Sequence, residues 1–446
     1  MIFSSIEFII FFIIFVLLIF KNTRNQQLII IISSIIFYAF WEIKYILLLF
    51  YIICTLYFCL KKNLNLFFSI TLTLLPLLFF KYLSFFINLT GFNYLNNFPY
   101  PQKLPLGISF ITFTAIALLV DNKKKIFTEK LDFSSLTEFI VYFPQLIAGP
   151  ILRAHELVPL LKKKIIFNKE NIKFGLLLFL IGFVKKIFFA DTIGALIDPI
   201  FDNPINFDQN FLLMGALLFP IQIYFDFSGY VDMALGISKL LNINLPLNFN
   251  KPYLASSLTD FWRRWHITLG KWFKDYLYIP IGGSKNGKLI NLFSLVVTMT
   301  VAGFWHGASW NFIIWGFING IILYFEKLFL LFKVRIKLPN FIKIFVTCFV
   351  IFNLWLIFRI TNLDNLLFYF KNLYFEEFYL MNKYSLMALL FLIFSIFSQK
   401  IDNYNFIEKY SKKITFKVFM PILIIVIFTG FLLNTGSSDN FIYFDF

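Results

Sequence analysis

Long runs of apolar residues, each closed by a short polar or basic segment, constrain this chain more than any other feature of its sequence. About 20 consecutive apolar residues are enough for a helix to cross a bilayer, and runs of roughly this length recur along the whole chain. Hydrophobic residues make up 59% of the 446 and charged residues 14%, whereas soluble proteins have about 45–50% and about 25%. The sequence therefore predicts an all-α polytopic membrane protein.

Candidate spans are separated well enough to be placed one by one. Because several are short and could be tilted or only partly inserted, we expect about eleven to thirteen transmembrane helices. Two stretches, Phe139 to Leu152 and Lys239 to Lys288, are too broken to span and are expected to form re-entrant and interfacial helices. No repeat or linker divides the chain, so we predict a single membrane domain over residues 1–446. The candidate spans lie at about residues 2–20, 28–42, 44–60, 65–92, 104–120, 172–190, 209–233, 289–307, 309–327, 341–360, 383–399 and 416–433.

The net charge of +16 does not indicate nucleic-acid binding, because lysine and arginine fall in short runs between apolar spans. This distribution is typical of the positive-inside rule. The connector Asp191 to Gln209 and the tail Asn434 to Phe446 contain aspartate and neither Lys nor Arg, so we expect both outside. The first span is followed, not preceded, by basic residues, which predicts a retained helix and an extracytoplasmic N-terminus. Membrane lipid is the partner that this composition implies.

Two of the three histidines of the chain lie in two long motifs, Asp260 to Gly283 (DFWRRWHITLGKWFKDYLYIPIGG) and Val301 to Gly320 (VAGFWHGASWNFIIWGFING). Each histidine, His266 and His306, stands beside a tryptophan in lipid-compatible sequence. A titratable group in such surroundings is costly and is treated as a functional site by default. The alternatives are that His266 belongs to a surface anchor and that His306 is an inert, hydrogen-bonded core residue.

Apolar spacing predicts the local structure of both motifs. Large apolar residues at positions 262, 265, 269, 272 and 276 form one helical stripe, and the other faces are basic, as in an interfacial helix. His266 can point inward from that helix. In the second motif, glycines at positions 303, 307, 316 and 320 lie four apart in pairs, a spacing that lets helix backbones approach closely in lipid.

A neutral imidazole is the usual general base for activating a hydroxyl, and acyl transfer also needs hydrogen-bond donors for the oxyanion. Metal ligation is the other use of paired histidines, but no cysteine or carboxylate lies at the spacing that metal sites show, so no metal is expected. Candidate oxyanion or positioning donors are Trp305, Ser309, Trp310 and Asn311.

The two motifs resemble the signature stretches of the membrane-bound O-acyltransferase family, in its bacterial branch of alginate and peptidoglycan O-acetyltransferases. Further similar motifs are PLGISFITF, YFPQLIAGPILR, GFVKKIFFAD, YFDFSGYVDMALGISKLL and NFNKPYLASSLTDFW. The resemblance covers roughly residues 100 to 330. The sequence departs from the family pattern after PLGISF, where ITFTAIALLVD follows.

The resemblance implies a ring of helices around a central funnel, and transfer of acetyl from cytoplasmic acetyl-CoA to an extracytoplasmic acceptor. The product would be an O-acetylated cell-wall or exported polysaccharide, such as peptidoglycan or an alginate-like polymer. His306 matches the catalytic histidine of the family, and His266 matches its second active-site residue. Arg263 and Arg264 could contact the CoA phosphates. Acetyl-CoA would be a substrate, and no bound cofactor is implied.

The resemblance also implies a bacterial inner-membrane location and a separate extracytoplasmic O-acetyltransferase that completes transfer to the glycan. The C-terminal residues Asp439 to Phe446 (DNFIYFDF) resemble an aromatic tail found in this branch, in which Tyr443 would relay the acyl group. An interfacial aromatic residue is the alternative for Tyr443.

Three other functions stay open at this point. Broken helices and polar residues near the bilayer midplane are also found in a transporter or flippase of a lipid-linked or acyl substrate. The chain could instead be a D-alanyl transferase of the teichoic-acid type, or a structural membrane subunit in which both histidines are expendable.

Overall fold

The computed structural model describes residues 1–90, 104–147, 149–285, 287–332, 338–376 and 381–433. Within these ranges the regular elements are helices, and no strand occurs. The α-helices are α1 Ile6–Lys21, α2 Gln26–Ala39, α3 Ile46–Lys62, α4 Leu66–Leu77, α5 Leu83–Thr90, α6 Ile108–Lys123, α7 Phe133–Val141, α8 Phe143–Leu146, α9 Ala154–Leu161, α10 Lys169–Val184, α11 Thr192–Asp202, α12 Gln209–Leu240, α13 Leu258–Arg264, α14 Ile267–Phe273, α15 Lys288–His306, α16 Trp310–Leu331, α17 Asn340–Arg359, α18 Leu363–Tyr374, α19 Lys383–Ser398, α20 Tyr404–Lys413 and α21 Phe416–Leu433.

The prediction of an all-α polytopic membrane protein is confirmed. Seven helical segments in the described ranges are long and apolar enough to cross a bilayer. Of the five other candidate spans, one lies on α10, which continues through the π-helical segment Lys185–Asp191 into α11. The other four coincide with α1, α2, α6 and α19, which have 14 to 16 residues each. At about 1.5 Å per residue such helices are shorter than the ~30 Å hydrocarbon core. The seven segments are Ile43–Lys62, Leu66–Thr90, Gln209–Leu240, Lys288–His306, Trp310–Leu331, Asn340–Arg359 and Phe416–Leu433.

The chain forms two compact units, a first unit of residues 1–181 and 230–246 and a second unit of residues 182–229 and 247–446. Two of the boundaries fall inside α10 and α12, so no flexible linker marks them in the sequence. The expectation of one membrane domain stays a prediction. Every described residue that sequence analysis nominated for the site lies in the second unit.

The first unit is filled by aromatic side chains. The Phe3 ring lies 4.5 Å from that of Tyr230 and 5.7 Å from that of Phe37, and the hydroxyl of Tyr142 donates to Ser238 Oγ at 3.2 Å. The stretch from Phe139 to Leu152 is interrupted, as expected. Helix α7 ends at Val141 and the four-residue α8 follows, with the described side chains buried.

The second unit contains charged residues buried between its helices. Lys186 is 2% exposed and pairs with Asp191 and with Asp226, each at 2.7 Å. Lys185 pairs at 2.7 Å with Asp402. Buried charges are tolerated when they are paired and hydrogen-bonded. These ion pairs therefore explain why Lys185 and Lys186 can be buried among apolar residues of the second unit.

Candidate active site

Helices α15 and α16 pack with their backbones almost touching, and this contact positions His306. A Cβ atom added to Gly316 would lie 2.3 Å from the Met299 carbonyl oxygen, so only glycine fits there. His306 is the last residue of α15 and is 6% exposed. Its ring makes edge contacts with the rings of Trp315 and Phe358, at centroid distances of 5.4 Å and 5.2 Å. The imidazole is therefore held in an aromatic cage, in agreement with the glycine spacing of the sequence.

His266 lies at a break between two short helices, and the prediction of one continuous helix from Trp262 to Tyr276 is wrong. Helix α13 ends at Arg264 and α14 begins at Ile267. His266 itself has φ +43° and ψ +54°, the left-handed conformation that is uncommon for residues other than glycine. Trp265, Leu269 and Trp272 are nevertheless buried, and Trp262 and Tyr276 at the two ends of the stripe are half-buried.

A neighbouring segment that runs antiparallel to residues 264–267 stabilises this break. The backbone N–H of Asn250 donates to the Arg264 carbonyl at 2.9 Å, and that of Ile267 donates to the Asn248 carbonyl at 3.0 Å. These hydrogen bonds take the place of the intrahelical hydrogen bonds that a continuous helix would make across Trp265 and His266. Tertiary pairing thus overrides helical periodicity at the functional residue.

The side chain of Asn248 lies beside the His266 ring. Its Oδ1 is 3.2 Å from His266 Nδ1 and accepts from the backbone N–H of Thr268 at 3.1 Å and from its hydroxyl at 3.0 Å. Phe227 covers the ring from α12, with a centroid distance of 4.7 Å. His266 is 2% exposed and stands outside the helices long enough to span. Burial lowers the pKa of His266 to about 3, so the ring is neutral at physiological pH.

Helix α16 supports the His266 segment as well as α15. The Glu326 carboxylate accepts from the backbone N–H groups of Leu258 and Thr259 at 2.7 Å and 2.9 Å, which caps the start of α13. The indole N–H of Trp262 donates to Asn319 Oδ1 at 3.2 Å. One helix therefore fixes the elements that carry both histidines.

Both histidines line the same cavity, which has a volume of about 690 Å³. Indoles and apolar side chains of α15 form its walls, and the charged side chains among the described lining residues are all basic. Leu295 and His306, eleven residues apart on α15, both reach it, so the cavity extends about 16 Å along that helix at about 1.5 Å per residue. The residues that line the cavity include Trp262, Arg263, His266, Lys271, Lys274, Tyr278, Leu295, His306, Trp315 and Lys327.

Comparison with known proteins shows the family of this chain. The sequence profile of the membrane-bound O-acyltransferase family matches residues 16–370. The chain belongs to that family. A peptidoglycan O-acetyltransferase of Helicobacter pylori is 39% identical over 372 residues, which are 74% of this chain and 70% of the relative.

Other relatives of this acyltransferase match over a shorter part. A probable alginate O-acetylase of Pseudomonas aeruginosa is 39% identical over 58% of this chain and 50% of its own length. A teichoic acid D-alanyltransferase of Bacillus subtilis is 30% identical over 50% of this chain and 60% of its own length. The chain thus spans about half of the alginate relative.

The two candidate phosphate-binding arginines of the acyltransferase differ in their surroundings. Arg263 is exposed and lines the cavity. Arg264 Nε donates to Asp260 Oδ1 at 2.8 Å and is not among the lining residues. Lys271, Lys274 and Lys327 also line the cavity. The basic groups available to an anionic substrate are therefore Arg263 and these lysines.

The four candidate oxyanion donors do not line the cavity, within the part of the chain that the structure describes. Asn311 Nδ2 donates to the carbonyls of Ile357 and Phe358, both at 3.2 Å, and so satisfies the last turn of α17. Ser309 Oγ donates to Asn311 Oδ1. Trp310 is 51% exposed, and Trp305 packs edge-on against His306 at 4.9 Å. These residues support the α15–α16 turn.

Tyr443 lies outside the described residues. The third histidine, His155, is in the first unit and is partly exposed, and its Nδ1 lies 3.5 Å from Asp121 Oδ2.

The residues that hold the histidines in place were not among the site residues predicted from the sequence. Asn248 and Glu326 act on backbone groups distant in sequence, and no spacing rule relates them to His266. Trp315 lines the cavity although its neighbours in the motif were nominated instead. The available signal was the presence of amide and carboxylate side chains inside otherwise apolar helices, as at Asn319 and Glu326.

Proposed function

We propose that this acyltransferase moves an acetyl group from cytoplasmic acetyl-CoA across the bacterial inner membrane to an extracytoplasmic acceptor. The acetyl group then serves O-acetylation of a cell-wall or exported polysaccharide, either peptidoglycan or an alginate-like polymer. The activities of the peptidoglycan and alginate relatives, each 39% identical to this chain, support this assignment. We also propose that both termini lie on the extracytoplasmic side, and the acidic connector at Asp191 to Gln209 supports this orientation.

The observation that carries the proposal is the shared cavity. Two buried imidazoles line a cavity of about 690 Å³, and the charged side chains among its described lining residues are basic. Small-molecule sites commonly measure ~300–1,000 Å³, so the cavity suits a thioester arm. Arg263 and the lining lysines suit the CoA phosphates, because guanidinium and ammonium groups bind phosphate through charge-assisted hydrogen bonds.

The chemistry needs no external reactant beyond the two substrates. His306 takes the proton from the acceptor hydroxyl as its oxygen attacks the thioester carbonyl carbon. The C–O bond forms, the C–S bond breaks, and the proton passes to the departing CoA sulfur. His266 assists as a neutral hydrogen-bonding partner. The aromatic cage keeps His306 in place for both proton transfers.

Transfer of radiolabelled acetyl from acetyl-CoA by purified protein tests the proposal. His306→Ala should lower transfer by about 10²-fold or more, the typical contribution of a general base, and His266→Ala should also lower it. His155→Ala is the matched control because it removes the third histidine, which lies in the other unit. Wild-type transfer by His306→Ala would refute the catalytic assignment.

On the outer side, Tyr443 is proposed to carry the acetyl group to a separate extracytoplasmic O-acetyltransferase. Tyr443→Phe removes the hydroxyl that would be acylated and retains the ring. The variant should insert normally and lose acetylation of the glycan. Normal acetylation by Tyr443→Phe would exclude the relay.

The acceptor is identified by mass spectrometry of wall glycans from cells with and without the protein. Loss of O-acetyl groups from peptidoglycan would establish the first acceptor class, and loss from an exopolysaccharide would establish the second. Loss of D-alanine from teichoic acid would replace the proposal with the activity of the 30% identical relative. Substrate movement without covalent change would indicate a transporter.

A further inference from the structure

Asn248 has an orientation that the structure fixes independently of how its amide atoms are assigned. The Thr268 backbone N–H can only donate, and it lies 3.1 Å from the Asn248 side-chain atom that faces it. An amide –NH₂ in that position would place two donors against each other, so the facing atom is the carbonyl oxygen Oδ1. The assignment of oxygen and nitrogen, which is often ambiguous for asparagine, is thus determined by chemistry.

The same oxygen also faces the His266 ring. Oδ1 lies 3.2 Å from His266 Nδ1, and an amide oxygen can only accept hydrogen bonds. Nδ1 must therefore carry a proton in order to bond with it. A neutral imidazole carries a single ring proton, so with the proton on Nδ1 the lone pair is on Nε2.

We infer that Asn248 is a positioning residue that holds His266 as its Nδ1–H tautomer and thereby makes Nε2 the atom of that ring able to accept a proton or a hydrogen bond. This deepens the proposed function, on which its catalytic meaning rests. The tautomer itself rests only on the hydrogen-bond geometry.

Asn248 also caps the helix that follows His266. Its main-chain carbonyl accepts from Ile267 N at 3.0 Å and its side chain accepts from Thr268 N at 3.1 Å, which satisfies the first two N–H groups of α14. His266 is the N-cap residue of α14 and makes no side-chain capping bond. Because Asn248 supplies the cap from another segment, the imidazole can serve the cavity.

Asparagine suits this role better than aspartate, because a carboxylate would accept the same hydrogen bonds but would stabilise the imidazolium and raise the pKa of His266. Phe227 covers the ring on its α12 side. The titratable and charged side chains that share the cavity with His266 are Arg263, Lys271, Lys274, Tyr278, His306 and Lys327. The cationic members of this set favour the neutral ring, so the environment and the amide act in the same direction.

Solid-state ¹⁵N NMR of histidine-labelled protein reports which ring nitrogen carries the proton, independently of catalysis. The chain has three histidines, and the His266→Gln variant identifies the signals of His266. We expect the wild-type ring to be protonated at Nδ1 alone. A proton at Nε2 in the wild type would overturn the inference.

Asn248→Ala should give a mixture of both tautomers, whereas the matched control Thr268→Val should retain Nδ1–H. Thr268→Val removes the hydroxyl that contacts Oδ1 and keeps the backbone N–H that orients it. A ring that stays Nδ1–H in Asn248→Ala would show that Asn248 does not select the tautomer.

Asn248→Asp provides a second variant that keeps the cap of α14 and so should fold even where Asn248→Ala does not. In a plot of transfer rate against pH, the fall in rate on the acidic side should occur about one pH unit or more higher than in the wild type, because the carboxylate raises the pKa of His266. An unshifted limb would contradict the positioning role. If NMR shows the expected tautomer but the wild-type protein transfers no acetyl, the proposed function fails and the tautomer assignment stands.

Discussion

Gly303 and Gly316 face each other across the α15–α16 contact with no room for a side chain between them. A Cβ atom on Gly303 would lie 3.0 Å from Gly316 Cα and 2.2 Å from the Phe312 carbonyl oxygen. His306 follows Gly303 by one helical turn. The close approach of the two helices therefore sets the position of the imidazole, and its aromatic cage completes the restraint.

Gly316→Ala should destabilise the protein, because overpacking a tight contact costs about 1–3 kcal/mol. The matched control is Gly270→Ala on α14, where an added Cβ would meet nothing closer than the Trp262 carbonyl oxygen at 3.6 Å. Thermal unfolding in detergent should show a lower midpoint for Gly316→Ala and no loss for Gly270→Ala. Equal midpoints for the two variants would contradict the packing argument.

Glu326→Ala should weaken the segment that carries His266. Without the carboxylate, the N–H groups of Leu258 and Thr259 lose their acceptor, and loss of a helix cap costs about 1 kcal/mol. We expect lower stability and a lower kcat, because α13 would no longer be fixed on α16.

The control for this variant is Glu408→Ala, which removes an exposed carboxylate from α20 that pairs with Lys412 at 3.4 Å. Surface pairs of this kind contribute about 0–1 kcal/mol. If Glu408→Ala and Glu326→Ala change stability and kcat equally, Glu326 has no specific supporting role.

Arg263→Ala should raise KM for acetyl-CoA about tenfold, since a hydrogen bond to a charged group contributes on the order of 1.5 kcal/mol. Arg264→Ala is a close control, because Arg264 is the next residue but is paired with Asp260. Its KM should stay near the wild-type value. Steady-state kinetics at two salt concentrations test this prediction, and the increase in KM caused by Arg263→Ala should be smaller at higher salt. A larger KM effect at Arg264 would reverse the assignment.

The membrane class, the paired histidines and the close α15–α16 contact could be predicted from the sequence, because each depends on composition or on local spacing. Glycines four apart predict a backbone contact whatever the partner helix is. The seven long apolar helices were all among the candidate spans. The family resemblance likewise rests on contiguous motifs, and the profile match to residues 16–370 confirms it.

The break at His266 could not be predicted, because it depends on pairing with residues 248–250, and periodicity reports only on the residues of one helix. The contacts of Asn311 could not be predicted for a related reason. Its place in the motif suggested an oxyanion donor, but the carbonyls that it satisfies lie about 46 residues later at the end of α17. Contacts between distant segments decide which polar side chains reach a cavity.

Stability should depend on pH through His266. The pKa of the buried ring is about 3, and an unfolded histidine has a pKa near ~6.5, so the unfolded state binds one more proton between these values. Stability is complete above pH ~6.5 and falls as the pH drops toward 3, by about 1.4 kcal/mol per pH unit. Between pH 7.5 and pH 5.0 the free energy of unfolding should therefore fall by about 2 kcal/mol through this residue. His266→Gln removes the titration and leaves the other groups unchanged, so its unfolding midpoint in detergent should fall less over the same interval. Parallel pH dependences in the two proteins would mean that His266 does not stay neutral when folded.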